Sequence, residues 1–233
     1  MTAYKHLFFD LDHTLWDYDR NATEVLRFLF DKYNLQEKSG SSVEAFLEIY
    51  QQINEQYWIR FEEGQIGKEE IREERFPLTF KNLGINSLKG LEDFGEEFLN
   101  LTPHKTNLIP YAREVLEVLK DKFHLHIITN GFQDVQLPKL EGSQLRSYFR
   151  KIITSDCGFN KPDPRIFLYA MEKAGCEPSE ALMIGDNLQA DVFGAQRMQI
   201  DQVYFNPIKE KHGLEKNPTF EVTCLSDIPS LLM

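Results

Sequence analysis

Short apolar runs alternate with longer segments of helical periodicity over most of the chain. The first run is Leu7, Phe8 and Phe9, and similar runs lie at 123–129, 151–154, 181–184 and 202–205. Segments with apolar residues three and four positions apart lie between them, at 110–120, 164–174 and 191–198. This alternation predicts the strands of a doubly wound parallel sheet with helices on both faces. A short strand at 222–225 and a helix at 227–232 complete the predicted elements.

A long stretch after the first strand has a different pattern. Strand-like runs are missing between residues 17 and 102, where apolar residues recur at helical spacing in the segments 25–30, 43–50, 57–61, 71–80 and 91–101. Glycines separate several of these segments, as they do at helix ends. The pattern predicts an all-helical domain at 17–102, inserted into an α/β core that is formed by 1–16 together with 103–233.

The composition limits the partners and the location of the protein. The formal net charge of -11 argues against a nucleic acid or an anionic membrane as the main partner. A small anionic substrate is compatible with it, provided that a metal ion or a few local cations bind that substrate. The three cysteines form no Cys-x-x-Cys pair, and the sequence shows neither a signal-peptide pattern nor the ~20 apolar residues of a membrane helix. We therefore expect a cytoplasmic protein.

Polar residues follow the predicted strands or open the predicted helices at four places. In chain order these motifs are Asp10-x-Asp12-x-Thr14, Thr129-Asn130-Gly131, Lys161-Pro162-Asp163-Pro164, and Gly185-Asp186 with Asp191. Each motif by itself is compatible with an ordinary turn. In an open α/β sheet, however, ligands bind at the carboxyl ends of the strands, and all four motifs fall at that edge. Together they indicate an active site.

These residue types match the requirements of phosphoryl transfer. The charged oxygens of a phosphate need a hard cation with oxygen ligands, and Asp10, Asp186 and Asp191 can hold Mg²⁺ or its waters. One carboxylate can act as nucleophile and form an aspartyl phosphate, and a second can protonate the leaving alkoxide and then activate water. A threonine hydroxyl, the backbone amides at Asn130-Gly131 and a lysine ammonium can bind the phosphate. The first pair of aspartates is also compatible with a simple Asp-rich turn.

The four motifs in this order resemble those of the haloacid dehalogenase superfamily of phosphatases, and the resemblance covers nearly the whole α/β core. It implies a Rossmann-like sheet with strand order 5-4-1-2-3, and it makes the segment after Trp16 a helical cap. It also implies that Asp10 is the nucleophile and a Mg²⁺ ligand. Asp12 would be the general acid and base, and its backbone carbonyl would bind the metal.

The same resemblance implies roles for the other motif residues. These are phosphoryl binding by Thr129, charge stabilisation by Lys161, and metal binding by Asp186 with support from Asp191. True haloacid dehalogenases resemble this scaffold but lack an acid at the position of Asp12, because a leaving halide needs no proton. The sequence therefore favours phosphate esters. His13 stands where many relatives carry a small residue, and we interpret it as a tolerated loop residue.

Two further segments indicate the substrate class. The stretch Trp58–Phe76 and the run that ends at Phe132 resemble the pyrimidine 5′-nucleotidase subgroup, which removes phosphate from nucleoside monophosphates such as dUMP, UMP and dTMP. The substrate-binding candidates are Trp58, Phe61 and Phe132 for stacking on a base, and Arg72 and Arg75 for reaching a carbonyl or phosphate. Alternatively, the aromatic side chains form the interior of the cap and the arginines lie on a solvated helix face.

Two other functions are compatible with the sequence. The first is a sugar-phosphate or phosphoglycolate phosphatase, or a phosphomutase, of the same superfamily. The second is a protein that binds a phosphorylated metabolite without turning it over. The joint presence of Asp10, Asp12, Lys161 and Asp186 counts against the second, because a binding protein needs neither a nucleophile nor its acid. The sequence does not predict the oligomeric state.

Overall fold

The chain folds into two compact units. The computed structural model describes residues 4–209, 211 and 217–233. One unit contains the residues up to Tyr18 together with those from Thr106 onward, and the other spans Asp19–Lys105. The second unit covers most of the segment 17–102 that was predicted as a cap, with both boundaries shifted by a few residues toward the C-terminus.

Six strands form one sheet within the described residues. They are β1 (His6–Phe9), β2 (His124–Ile128), β3 (Phe149–Ile153), β4 (Ala181–Gly185), β5 (Asp201–Phe205) and β6 (Phe220–Val222). Their spatial order is β3-β2-β1-β4-β5-β6, and every neighbouring pair is parallel. The predicted order 5-4-1-2-3 is confirmed, and β6 extends the sheet beyond β5. The last strand ends at Val222, where the predicted strand begins.

The second unit is entirely helical in its regular structure. Its helices are α1 (Tyr18–Lys32, which begins one residue before the unit), α2 (Leu35–Ser39), α3 (Val43–Glu62), α4 (Lys68–Asn82) and α5 (Phe94–Leu101). The segments predicted separately at 43–50 and 57–61 belong to one helix, α3, because Ile53 continues the buried face between them. Aromatic rings fill the interior: Phe76 lies 5.2 Å from Tyr50 and 4.9 Å from Phe94, measured between ring centroids.

The helices of the sheet-containing unit pack on both faces of the sheet. They are α6 (Ala112–Leu119), α7 (Gln133–Gly142), α8 (Pro164–Ala174), α9 (Gly194–Arg197, preceded by a π-helical segment Leu188–Phe193) and α10 (Ile228–Leu232). Helix α8 has the predicted bounds, because Asp163 caps its first turn and Gly175 ends it in the left-handed conformation. The hydrophobic pattern did not predict α7. Among the described residues, every helix is too short or too polar to cross a lipid bilayer.

The position of β1 at the centre of the sheet explains its hydrophobic sequence. Leu7 and Phe9 pack into the core on one face, with helix α6, and Phe8 packs into the core on the other, with α8. Phe9 is aligned with Ile127 of β2 and Ile184 of β4. The residues that follow these three strands are therefore brought side by side at one edge of the sheet.

Two histidines are buried near the opposite edge of the sheet. Nδ1 of His6 lies 3.1 Å from Nε2 of His126, and His126 is only 1% exposed. The accepting nitrogen in this contact must be unprotonated. Burial, together with the positive charges of His6, His124, Arg150 and Lys151, lowers the pKa of His126 to about 3. The folded protein therefore holds His126 in its neutral form.

We expect this neutral histidine to make the protein sensitive to acid. An unfolded histidine has its ordinary pKa near ~6.5, so the stability that the neutral ring contributes is fully present above that pH. It is lost progressively as the pH falls toward the folded-state pKa of about 3. Urea unfolding between pH 7 and 5 should show a smaller loss of stability for His126→Phe than for the wild type. The exposed His104→Gln should keep the wild-type slope, and identical slopes for all three proteins would contradict the prediction.

Candidate active site

A buried ion pair joins the first and third motifs. Asp10 directly follows β1, and its N–H donates to the carbonyl of Ile184 at 2.9 Å. The ammonium of Lys161, which is 2% exposed, lies 2.5 Å from Oδ1 of Asp10 and 2.6 Å from Oδ1 of Asp191. A buried ammonium is costly unless carboxylates pair with it, as they do here. Although burial lowers it, these two carboxylates raise the pKa of Lys161, so the side chain stays charged.

The second motif fixes the loop that carries Lys161. The amide of Asn130 donates from Nδ2 to the carbonyl of Lys161 at 2.9 Å, and its Oδ1 accepts from the N–H of Lys161 at 2.7 Å. Ser155 donates from Oγ to the carbonyl of Asn130 at 2.6 Å. The side chain of Asn130 therefore positions Lys161, and only its backbone amide belongs with the predicted phosphate-binding groups.

Asp186 and Asp191 are held by hydrogen bonds from Thr14 and from the backbone of Asn187. Thr14, in the first motif, donates from Oγ1 to Oδ1 of Asp186 at 2.7 Å. The N–H of Asn187 donates to Oδ2 of Asp191 at 3.0 Å. Position 185 must be glycine for this packing, because a Cβ there would lie 2.1 Å from Oδ2 of Asp191. Both carboxylates consequently point to the same side of the strand ends as Asp10.

Three carboxylates form a cluster that fits a divalent cation. Asp10, Asp186 and Asp191 each offer an oxygen, and these oxygens lie within 4.8 Å of one another. Burial raises the pKa of Asp10 well above its usual range, opposed by Lys161 and reinforced by Asp191 and Asp186. Burial and the Asp191 charge raise the pKa of Asp186 to about 6. When all three carboxylates are ionised, they and the one ammonium leave two negative charges in excess, and the donors are all oxygen, which suits a hard cation such as Mg²⁺.

Asp12 lies outside this cluster and has a cation of its own. The ammonium of Lys139 lies 2.7 Å from its Oδ1 and 2.9 Å from its Oδ2. Gln136 donates from Nε2 to Oδ2 of Asp12 at 2.9 Å and to Oγ1 of Thr129 at 2.7 Å. Both residues belong to α7, and the sequence prediction missed them. The available signal was their spacing, since residues three positions apart lie on the same face of a helix.

Gly131 and Phe132 shape the start of α7. A Cβ at position 131 would lie 2.1 Å from Nε2 of Gln136, so only glycine leaves room for that side chain. The N–H of Gly131 donates to Oγ1 of Thr129 at 3.1 Å. Phe132 is buried at the N-terminal end of the helix, and its carbonyl accepts from the N–H of Gln136. The second motif therefore contacts the third motif through Asn130 and α7 through Thr129, and Gln136 connects it to Asp12 of the first motif.

The comparison with known protein families agrees with this geometry. The sequence pattern of the family named "Haloacid dehalogenase-like hydrolase" matches residues 7–205, a span that includes all four motifs. The chain belongs to this family. As a haloacid dehalogenase-like hydrolase it is an enzyme, and the fold expected from the resemblance is the fold that the chain adopts.

Three relatives of this hydrolase match over nearly its whole length. YfnB of Bacillus subtilis (strain 168) is 30% identical over 100% of this chain and 97% of its own. The pyrimidine 5′-nucleotidases PynA of Streptococcus pneumoniae and YjjG of Escherichia coli are each 29% identical over 97% of this chain, covering 93% and 96% of their own lengths. The magnesium-bound crystal structure of YfnB superimposes with a TM-score of 0.88 at 29% identity over 98% of both chains.

The substrate-binding candidates of the hydrolase's helical unit have varied surroundings. Arg75 is buried, and its guanidinium donates to the carbonyl of Ile71 and to Oδ1 of Asn54. The alternative that placed it on a solvated face is therefore wrong, because its donors satisfy groups inside the unit. Phe61 is also buried, with its ring edge-on to Trp58 at 5.7 Å. Arg72 and Trp58 are half-buried.

His13 adopts a left-handed backbone conformation, which favours glycine. Its φ is 64°, in the left-handed region, where a side chain with a Cβ is strained. The residue is exposed, and its ring lies 5.2 Å from that of Tyr18. This conformation favours glycine, and the interpretation of His13 as a tolerated loop residue stays a prediction.

Proposed function

We propose that the protein is a Mg²⁺-dependent phosphomonoesterase that works through an aspartyl phosphate on Asp10. The observation that carries this proposal is the pairing of charges at the edge of the sheet. Asp10 shares Lys161 with Asp191 in a cluster that has an excess of two negative charges, whereas Asp12 is paired separately with Lys139. One carboxylate is thus arranged beside a cation site, and the other is kept apart from it for proton transfer.

In the first half of the reaction, the carboxylate of Asp10 attacks the phosphorus of the monoester. Lys161 binds Oδ1 of Asp10, so Oδ2 is the oxygen that attacks. The bond between phosphorus and the ester oxygen breaks, and Asp12 gives its proton to that oxygen, so an alcohol leaves. Thr129, the amide of Gly131 and Lys161 stabilise the charge on the transferred group.

In the second half, Asp12 acts as the base. Its carboxylate takes a proton from a water molecule that attacks the phosphorus of the aspartyl phosphate. The bond to Asp10 breaks, inorganic phosphate leaves, and both carboxyl groups return to their starting states. Asp10, Asp186, Asp191 and the backbone carbonyl of Asp12 would hold Mg²⁺, which supplies positive charge to the phosphate oxygens when bound.

Pyrimidine nucleoside 5′-monophosphates such as dUMP, UMP and dTMP are the proposed substrates. Support comes from PynA and YjjG, which are named pyrimidine 5′-nucleotidases and match 97% of this chain. The alternative substrates are sugar phosphates or phosphoglycolate. A panel of both classes at fixed Mg²⁺ tests the proposal, with the highest kcat/KM expected for a pyrimidine nucleotide. Higher values for a sugar phosphate would reassign the substrate and keep the chemistry.

The helical unit would act as a cap that excludes water during phosphoryl transfer to Asp10. Interdomain movement in magnesium-bound YfnB supports this part of the proposal. Trp58, Phe61 and Phe132 remain the proposed contacts to the base, and Arg72 the proposed contact to a carbonyl or phosphate. A cytoplasmic location and the absence of nucleic-acid and membrane partners remain predictions.

Magnesium should stabilise the folded protein even without substrate. Binding to the native state alone adds about 1.4 kcal/mol for each tenfold rise in concentration above the Kd, which corresponds to roughly 4 °C in Tm for a chain of this size. Asp186→Asn removes one repelling carboxylate from the cluster. In EDTA this variant should therefore melt above the wild type, and in excess Mg²⁺ below it. Melting curves that keep the same order in both buffers would contradict the metal site.

A further inference from the structure

The side chain of Lys139 is buried and is held in one position by its neighbours. Its side chain is 3% exposed, and its ammonium reaches both oxygens of Asp12. The same ammonium lies 4.4 Å from the ring centroid of Trp16 and 5.6 Å from that of Tyr18, which are cation–π distances. The carboxylate and the two rings thus confine a long, flexible side chain to one position.

Gln136 connects Asp12 to the phosphate-binding threonine. It is fully buried, and its Nε2 divides its two hydrogen bonds between Oδ2 of Asp12 and Oγ1 of Thr129. Gly131 provides the space through which it reaches them. The orientation of the Asp12 carboxylate is therefore tied both to α7 and to the second motif.

Stability alone does not explain these two residues. A buried ion pair is often no more stabilising than apolar side chains of similar size, and a buried polar group costs free energy unless it is fully paired. Leucine or methionine at positions 136 and 139 would give α7 a conventional apolar face. Instead, two buried polar residues of this helix, Gln136 and Lys139, both contact the partly exposed carboxylate of Asp12.

We propose that Lys139 and Gln136 are positioning residues that hold the Asp12 carboxylate toward the leaving group and away from the metal-binding cluster. This inference rests on the proposed phosphatase function. Without a cation of its own, Asp12 would be drawn to a divalent ion bound by Asp10, Asp186 and Asp191, because a carboxylate is a good ligand for it. Lys139 cancels that attraction, and Gln136 fixes the rotation of the carboxylate relative to Thr129.

Lys139→Met should damage proton transfer to poor leaving groups selectively. The parameter to measure is kcat/KM, which reports the steps up to departure of the leaving group. For the best alkyl monoester of the panel we expect a loss of about 100-fold, typical of a misplaced catalytic group. For p-nitrophenyl phosphate, whose leaving group needs little protonation, we expect a loss of less than about tenfold. Gln136→Leu should show the same selectivity, and it serves as second variant if Lys139→Met does not fold.

Ser143→Ala is the matched control for both variants. Ser143 is buried in the turn that ends α7, and it donates from Oγ to the carbonyl of Lys139 without contacting Asp12. Its removal perturbs the same helix, so its kcat/KM should stay near wild type for both substrates. Equal losses on the two substrates for Lys139→Met and Gln136→Leu would show that these residues are only structural, and would overturn the inference.

A double-mutant cycle with Asp12 gives the sharpest result. If Lys139 acts only through Asp12, then adding Lys139→Met to Asp12→Asn should change kcat/KM for the alkyl ester by no more than about twofold. Multiplied losses would overturn the inference while leaving the phosphatase intact. A wild-type protein that hydrolyses no member of the panel would instead remove the proposed function, and the inference with it.

Discussion

Asp10→Asn should abolish the hydrolysis of every phosphate ester. An amide oxygen is a far weaker nucleophile than a carboxylate, and it cannot form the acyl phosphate that the second half of the reaction consumes. Loss of a covalent nucleophile typically lowers kcat by at least about four orders of magnitude. Activity should be lost with p-nitrophenyl phosphate as well as with alkyl esters, because both kinds of ester need the same nucleophile whatever their leaving group.

Asp121→Asn is the matched control for this experiment. Asp121 is exposed in the turn before β2, at the end of that strand opposite Thr129, and the same change of charge there should leave turnover unchanged. Melting curves of the Asp10 variant should show a folded protein, since Lys161 keeps Asp191 as its partner. Turnover by Asp10→Asn above a hundredth of the wild-type rate would remove Asp10 from the nucleophile role.

Asp12→Asn should separate the two halves of the reaction. For an alkyl ester, kcat/KM should fall by about 10²–10⁴, the usual contribution of general acid catalysis. For p-nitrophenyl phosphate, kcat/KM should change little, because nitrophenolate leaves without a proton. The second half needs Asp12 as a base for every substrate. A burst of one equivalent of nitrophenol followed by slow turnover is therefore expected.

The distinction between kcat/KM and kcat makes this prediction testable. The first parameter contains only the steps through departure of the leaving group, whereas kcat also contains hydrolysis of the aspartyl phosphate. Equal falls of kcat/KM for the alkyl and the nitrophenyl ester would contradict the role of Asp12 as acid. A variant without a burst would contradict its role as base.

The strand-end positions of the site could be predicted from the sequence because parallel strands impose them. Once β1, β2 and β4 are neighbours, Asp10, Thr129 and Asp186 must lie at one edge, whatever the details of packing. Lys161 lies in a loop, and no periodicity fixes where a loop side chain points. Its place in the site was predicted from the resemblance of the four motifs to a known family. The structure shows that two hydrogen bonds between Asn130 and the backbone of Lys161 hold this loop in position.

Helix α7 was missed for a physical reason. Its inward positions include Gln136 and Lys139, so the apolar face that identifies an amphipathic helix is interrupted by polar groups. Pro138 inside the helix weakens the signal further. Gln136 and Lys139, which interrupt the apolar face, are also the residues that contact Asp12. The two polar residues that interrupt the apolar face of α7 are thus part of the site.

The central claim is that phosphate passes through a covalent bond to Asp10, and the burst expected for Asp12→Asn allows that bond to be observed. The variant is mixed with p-nitrophenyl phosphate and Mg²⁺, quenched in acid after the burst, digested, and its peptides are analysed by mass spectrometry. We predict one phosphoryl group on the peptide that contains Asp10, and none when EDTA replaces Mg²⁺. A phosphoryl group on a different residue, or a burst without any phosphorylated peptide, would contradict the account.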